Sequence, residues 1–336
     1  MSTNTQVPAR LDTTALRLLG GVSWADRVRA AARSAGLVGV IIVLFIIFGV
    51  ASPSFVSGTN IVSILLQASV VGVLSIGQTY VLITGGIDLS AGSIVAVSAI
   101  SAGMFTLILP PVLAILGGIA VGALAGLVNG LLITLTGITP FIITLGTMSI
   151  YSGLALIISG GRAIYDIPQG FKDILAGRVV GIPIPIIIVV VLTVGSALVL
   201  KYTKFGEYLI AVGGNAETAR LAGIKVKAIT AGSYVLSGAA AGLAGAILVA
   251  RLGAADPTIG ADLLLIAIAA TVMGGTKLTG GEGSMFGALF GAVLIATLTA
   301  GLTSLNVQAF YQQVAVGAAI IIALLVDQIA RSGRKA

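Results

Sequence analysis

Apolar positions along this chain come in long unbroken runs, without the period-two or three-and-four spacing of a half-exposed element. The runs cover 37–52, 61–83, 90–109, 111–135, 139–159, 184–200, 228–250, 262–275, 284–303 and 309–327. An element apolar on every side has no face for water, and a helix needs about 20 such residues to cross a bilayer. The pattern therefore predicts an all-α polytopic membrane protein of about ten spans. The run 262–275 is the shortest and reads as a half-helix or a tilted span. Between Arg33 and Arg162 the single Asp, Glu, Lys or Arg is Asp88.

Composition strengthens this reading. Of 336 residues, 57% are hydrophobic and 9% charged, against about 25% charged in a soluble domain. Mean hydropathy is +1.16. The 46 glycines suit helices that approach closely in lipid. The sequence holds no cysteine and no histidine, which removes disulfides, thiolate or imidazole metal sites, and Ser-His or Cys-His nucleophiles.

The net charge of +7 reads as topology and not as nucleic-acid binding, because the cations gather at the ends of runs. With the N-terminus inside, the inner segments hold Arg10, Arg17, Arg27, Arg29 and Arg33, then Lys201, Lys204, Arg220, Lys225 and Lys227, then Lys277, Arg331, Arg334 and Lys335. The outer segments hold Arg162, Lys172, Arg178 and Arg251. That bias places both termini in the cytoplasm. Residues 1–36 read as a cytoplasmic leader and not a secretory signal, 37–328 as the transmembrane permease domain, and 329–336 as a cytoplasmic tail.

Two connections are long enough to carry structure. Residues 160–183 are expected outside and 201–227 in the cytoplasm. Within the second, Asn215 follows Gly213 and Gly214 as an N-cap, Glu217 sits in a first turn, Arg220 in a last turn, and Gly223 as a stop. The spacing predicts a short helix over 216–222, suited to docking a soluble partner, although an ordinary ordered loop would use the same residues. A weak internal echo links GGIDLSAGS at 85–93 with GGTKLTGGEGS at 274–284, as duplicated halves with matching helix breaks would.

These segments, together with AVGGNAETARLAGIKV at 211–226 and QQVAVGAAIIIALLVDQ at 312–328, resemble the permease subunits of bacterial ATP-binding-cassette (ABC) importers for ribose, xylose, arabinose and related sugars. The resemblance runs from about 37 to 328. It implies an inner-membrane protein that works as a homodimer or pseudo-dimer, with a cytoplasmic ABC ATPase and an extracytoplasmic sugar-binding protein. It also implies that Gly213, Gly214, Asn215, Glu217, Arg220 and Gly223 couple the permease to the ATPase. One departure stands out: where such permeases commonly carry Glu-Leu-Asp, this chain has Leu264, Leu265 and Ile266, with Asp262 two residues earlier.

Asp88 is the sharpest single residue, since an acid within an apolar stretch marks either a pathway or a structural cap. Following Gly85 and Gly86 and preceding Ser90, it reads as a helix break near the cytoplasmic interface, its carboxylate accepting backbone N–H groups at Ser90 or Ala91. Gln67, Gln78, Asn129, Thr144, Gln308, Gln312 and Gln313 line a route or bond between helices. Gly274 and Gly275 mark the second break. The stripes Gly118, Gly122, Gly126, Gly130 and Gly283, Gly287, Gly291 predict tight helix contacts.

No G-x-x-x-x-G-K-[ST] motif occurs, so ATP is hydrolysed by a partner and no cofactor is expected on this chain. Together these features point to a permease subunit for a monosaccharide or related neutral polar solute. Branched-chain amino-acid or nucleoside permeases are the neighbouring alternatives. An ion-coupled carrier would need more mid-membrane acids than Asp88 provides.

Overall fold

The computed structural model describes residues 24–332. The first 23 residues of the expected leader and the last four, with Arg334 and Lys335, lie outside the described residues. Every one of the ten apolar runs is helical. They are α1 (Trp24–Ala51), α2 (Gly58–Ile83), α3 (Ala91–Phe105), α4 (Pro111–Thr136), α5 (Pro140–Ser159), α7 (Ile184–Tyr202), α10 (Val226–Leu252), α11 (Leu263–Met273), α12 (Met285–Ser304) and α13 (Ala309–Ser332). Among the described residues, α2, α4, α5, α7, α10 and α12 are long and apolar enough to cross a membrane. The chain is a helical, polytopic membrane protein.

Two runs read as spans are shorter than that. With 15 residues, α3 rises about 22 Å, and with 11, α11 rises about 16 Å. Hydrocarbon is about 30 Å thick. Both adjoin a helix break, α3 after 84–90 and α11 before 274–284. The outer connection carries α6 (Gln169–Ala176), whose Phe171 and Leu175 are buried, and a hairpin of β1 (Arg178–Val179) and β2 (Ile182–Pro183), with Arg178 opposite Pro183. Ile164 also pairs with Ala255, tying this loop to the α10–α11 connection.

The core is built on α2, α3 and α10. Residues 91–103 of α3 are buried at every position, so this helix is apolar all round because it faces protein all round. The largest interface is between α4 and α10, and glycine makes it. A Cβ on Gly122 would overlap the Gly238 carbonyl oxygen, one on Gly126 the Tyr234 carbonyl oxygen, and one on Gly130 would stand 2.7 Å from Ala231 Cα. The stripe on α12 works likewise: Cβ atoms on Gly287 and Gly291 would overlap the carbonyls of Gly274, just past α11, and of Ala270 within it. Both stripes pack within the protomer.

Candidate functional site

The first break holds a polar node. Helix α2 closes in a Schellman turn: Gly85 N–H donates to Leu82 O at 2.9 Å, Gly86 N–H donates to Val81 O at 3.2 Å, and Gly85 has φ of 79°, which glycine adopts without penalty. The chain then turns through Asp88 into α3. Asp88 Oδ1 accepts from Ser90 N at 3.0 Å and from Ser90 Oγ at 2.6 Å, and Oδ2 accepts from Ser237 Oγ of α10 at 2.8 Å. Asn129 Nδ2 of α4 donates to Ser90 Oγ at 2.7 Å, and Tyr151 of α5 donates to Ala125 O at 2.9 Å and Asn129 Oδ1 at 3.3 Å. Gln78 Nε2 of α2 donates to the Asp88 carbonyl at 2.8 Å, and Thr144 Oγ1 to Ile87 O at 3.1 Å.

Donors thus run in one direction, from Tyr151 through Asn129 and Ser90, and end on the carboxylate. The cap expected from sequence exists. Asp88 has 0% exposure and is enclosed by protein, where hydroxyls and a backbone N–H from surrounding elements replace water around it. Among the described residues the ion pairs are Glu217–Arg220 and Lys277–Glu282, and neither involves Asp88. Two buried polar atoms near the node, Gln78 Oε1 and the Tyr234 hydroxyl, have no hydrogen-bond partner among the described residues. The Tyr234 hydroxyl lies against Gly86, where a Cβ would approach it to 2.5 Å.

The second break opens the same way. After α11, Gly275 N–H donates to Val272 O at 2.9 Å and Thr276 N–H to Thr271 O at 3.3 Å, with Gly275 at φ of 92°. Gly274 precedes it, and a Cβ there would overlap the Gly287 carbonyl. Beyond the turn the two breaks diverge. Lys277 Nζ meets Glu282 Oε1 at 2.5 Å with partial solvent exposure, and Ser284 caps α12 by accepting from Gly287 N at 3.0 Å. At the other end of α11, Leu264 is buried, Leu265 exposed, and Asp262 stands at the helix start without a side-chain cap bond.

The segment 201–227 is almost wholly helical. Sequence reading expected one short helix; the structure holds two, α8 (Lys204–Gly214) and α9 (Ala216–Leu221). Gly213 and Gly214 end α8, and Asn215 alone joins the pair. Its N–H donates to Ala211 O at 3.1 Å, and its Oδ1 accepts from Thr218 N at 2.9 Å, so one residue caps both helices. A Schellman turn closes α9: Gly223 N–H donates to Arg220 O and Ile224 N–H to Ala219 O, each at 3.0 Å, with Gly223 at φ of 82°. Glu217 and Arg220 form a bidentate pair at 2.6 and 2.9 Å on the open surface, and this pairing holds the Glu217 carboxyl below its ordinary range. Leu221 beside them is 74% exposed while Ala219 is buried.

The residues read from sequence as coupling or helix-break positions fall into these three places, the Asp88 node, the second break and α8–α9; Gln67 in α2, Gln308 before α13, and Gln312 and Gln313 in α13 lie in none of them. Ser237, Tyr151 and Tyr234 were missed; nothing local marks them, since each acts across more than twenty residues of chain. Helix α8 did carry a signal, Phe205, Leu209 and Val212 at helical spacing, with Gly206, Leu209 and Val212 buried.

Comparison with known proteins places this arrangement. A family described as "Branched-chain amino acid transport system / permease component" matches residues 60–324. The ribose import permease protein RbsC of Bacillus subtilis is 44% identical over 85% of this chain and 90% of its own length. The D-allose transport system permease protein AlsC of Escherichia coli is 37% identical over 86% and 90%. The L-arabinose ABC transporter permease protein AraH of Azospirillum brasilense is 38% identical over 90% and 89%. No solved structure matches the chain.

Proposed function

The chain belongs to the branched-chain amino acid transport system / permease component family, and from that premise we propose how its parts divide the work of import. It is a multi-pass protein of the bacterial inner membrane, a permease subunit of an ABC importer, and not itself the ATPase. Its substrate is a monosaccharide. The family title names amino acids, but the relatives matched over nine-tenths of their length are named for ribose, allose and arabinose. No Lys or Arg falls within any of the ten apolar runs of the sequence, which agrees with a neutral solute.

The chain crosses the membrane about ten times with both termini in the cytoplasm, pairs with a second permease copy, and receives sugar from an extracytoplasmic binding protein. ATP is hydrolysed by a separate cytoplasmic subunit that docks on α9. The exposed, doubly capped α9, with Leu221 beside the Glu217–Arg220 pair, carries this reading. A six-residue helix is marginal alone, so its caps hold a preformed surface that a partner can grip.

Arg220→Glu tests the docking. The variant should insert and purify, yet lose the ATPase during co-purification. Full retention of the ATPase would overturn the reading. Sidedness is checked in this cysteine-free chain by Asp173→Cys and Lys227→Cys: the first should react with an impermeant thiol reagent from outside, the second only after permeabilisation.

A further inference from the structure

The C-terminal end of α8 lies against two segments far from it in sequence. A Cβ on Gly213 would overlap the carbonyl oxygen of Ile83, the last residue of α2, and would stand 2.6 Å from the Gly281 nitrogen. That Ile83 carbonyl, one of the four a helix end leaves without a helical partner, accepts from Gly281 N–H at 2.9 Å. A Cβ on Gly280 would stand 2.8 Å from the Gly213 carbonyl oxygen and 2.9 Å from the Gly85 nitrogen. Three chain segments therefore meet backbone to backbone, with no side chain between them. Gly280 and Gly281, at φ of 84° and 78°, hold conformations that side-chain-bearing residues rarely adopt.

Such a contact differs from ordinary packing. Side chains absorb a small displacement by changing rotamer, whereas touching backbones pass it on. Gly214, the next residue, also lends its backbone, with a Cβ on Gly281 standing 3.2 Å from the Gly214 Cα, but has nothing within 4 Å of its own Cβ position. Asn215 fixes α9 to α8 by bonds on both sides.

We propose that Gly213 is the positioning residue through which a push on α9 reaches both helix breaks at once, 84–90 by way of Ile83 and 274–284 by way of Gly280 and Gly281. This rests on the reading that α9 receives the ATPase. It adds a route that does not pass along α7 and α10, the spans flanking the segment. The two breaks are thereby driven together, which keeps the Asp88 node and the α11–α12 turn in step.

The test uses the permease reconstituted with its ATPase and the loaded binding protein, and reads the ratio of stimulated to basal ATP hydrolysis together with sugar uptake. Gly213→Ala should retain the ATPase through purification while the ratio falls about tenfold, within the usual span of coupling between sites; Gly195→Ala, in α7 with nothing within 4 Å of its Cβ position, should keep the ratio. A fold defect would lower both rates together, so the ratio separates transmission from stability. Normal stimulation and uptake in Gly213→Ala would overturn the proposal. If that variant does not fold, hydrogen exchange on the unaltered complex decides: peptides over 84–90 and 274–284 should change protection together between nucleotide-free and ATP-bound states. Change over 215–223 with none at the breaks would overturn the route and leave the docking reading standing. Full ATPase retention in Arg220→Glu would instead remove the docking reading itself.

Discussion

The two helix breaks share a sequence rhythm and a backbone turn, and almost nothing else. Both open with Schellman closures, but the folded equivalence is one residue out of step with the sequence echo. Gly85 matches Gly275, so the GG pairs that align in sequence do not superimpose in role. The first break then buries a carboxylate among donors from Ser90 and from Ser237 of α10 and places it under a helix that faces protein on every side. The second leaves a lysine and a glutamate partly in water. A turn motif therefore fixes how a helix ends, and what surrounds the next few residues decides whether the break becomes a rigid node or an adjustable one.

If that contrast is right, the breaks should differ sharply in sensitivity. Asp88→Leu strips an acceptor from Ser90 N, Ser90 Oγ and Ser237 Oγ together. With each orphaned buried group costing about 1–3 kcal/mol, the loss should reach about 3 kcal/mol or more, seen as collapse of monodisperse yield in detergent. Asp88→Asn keeps an acceptor oxygen and should recover most yield and uptake. Loss of uptake from well-folded Asp88→Asn would show that the charge itself serves transport, and the node would cease to be structural.

Ser237→Ala comes next. It removes one donor while leaving Oδ1 satisfied, and should cost about 1–3 kcal/mol, measured as a lowered thermal midpoint. Lys277→Ala at the second break should cost below about 1 kcal/mol, because that pair is partly solvated. A larger effect for Lys277→Ala than for Ser237→Ala would reverse the ranking on which the comparison stands.

The smallest effect belongs to α9, a third Schellman-closed end with no protein around its ion pair. Arg220 lowers the Glu217 pKa below its ordinary 4.5, so the pair's contribution is complete above that value and fades as pH falls through the folded pKa. Glu217→Gln should already lack this contribution near neutrality, with a small drop in ATPase retention there and no further loss on the acid side. An acid profile identical in both proteins would assign the loss elsewhere.

What sequence could and could not reveal follows from the same physics. Apolar runs mark helices whether their neighbours are lipid or protein, so α1 to α5, α7 and α10 to α13 were legible while the full burial of α3 was not. A run without a polar face has no direction to read. Glycine spacing supplied the missing direction for α4 and α12, since backbones touch only where side chains are absent. Local caps were equally legible: Asn215 and Gly223 bracket α9 as expected, and Asp88 does accept from Ser90 N. The donors that complete the node were invisible, because Ser237 lies 149 residues from Asp88. Helix α8 was hidden by its own ending. Two consecutive glycines read as a break before a helix, yet Gly213 is helical and is glycine because Ile83 leaves no room for a Cβ.

The glycine face between α4 and α10 has one more consequence. Gly122, Gly126 and Gly130 mesh with Gly238, Tyr234 and Ala231, and Gly242 seats against Gly118 and Ile119, like teeth cut at a pitch of three to four residues, about 5–6 Å along the axis. Sliding by less than a tooth drives a backbone carbonyl into a Cα, and no rotamer is available to soften the collision. This pair of helices behaves as a detent: it stays in its notch or jumps a whole one. Smooth motion during transport has to be found in the elements around it.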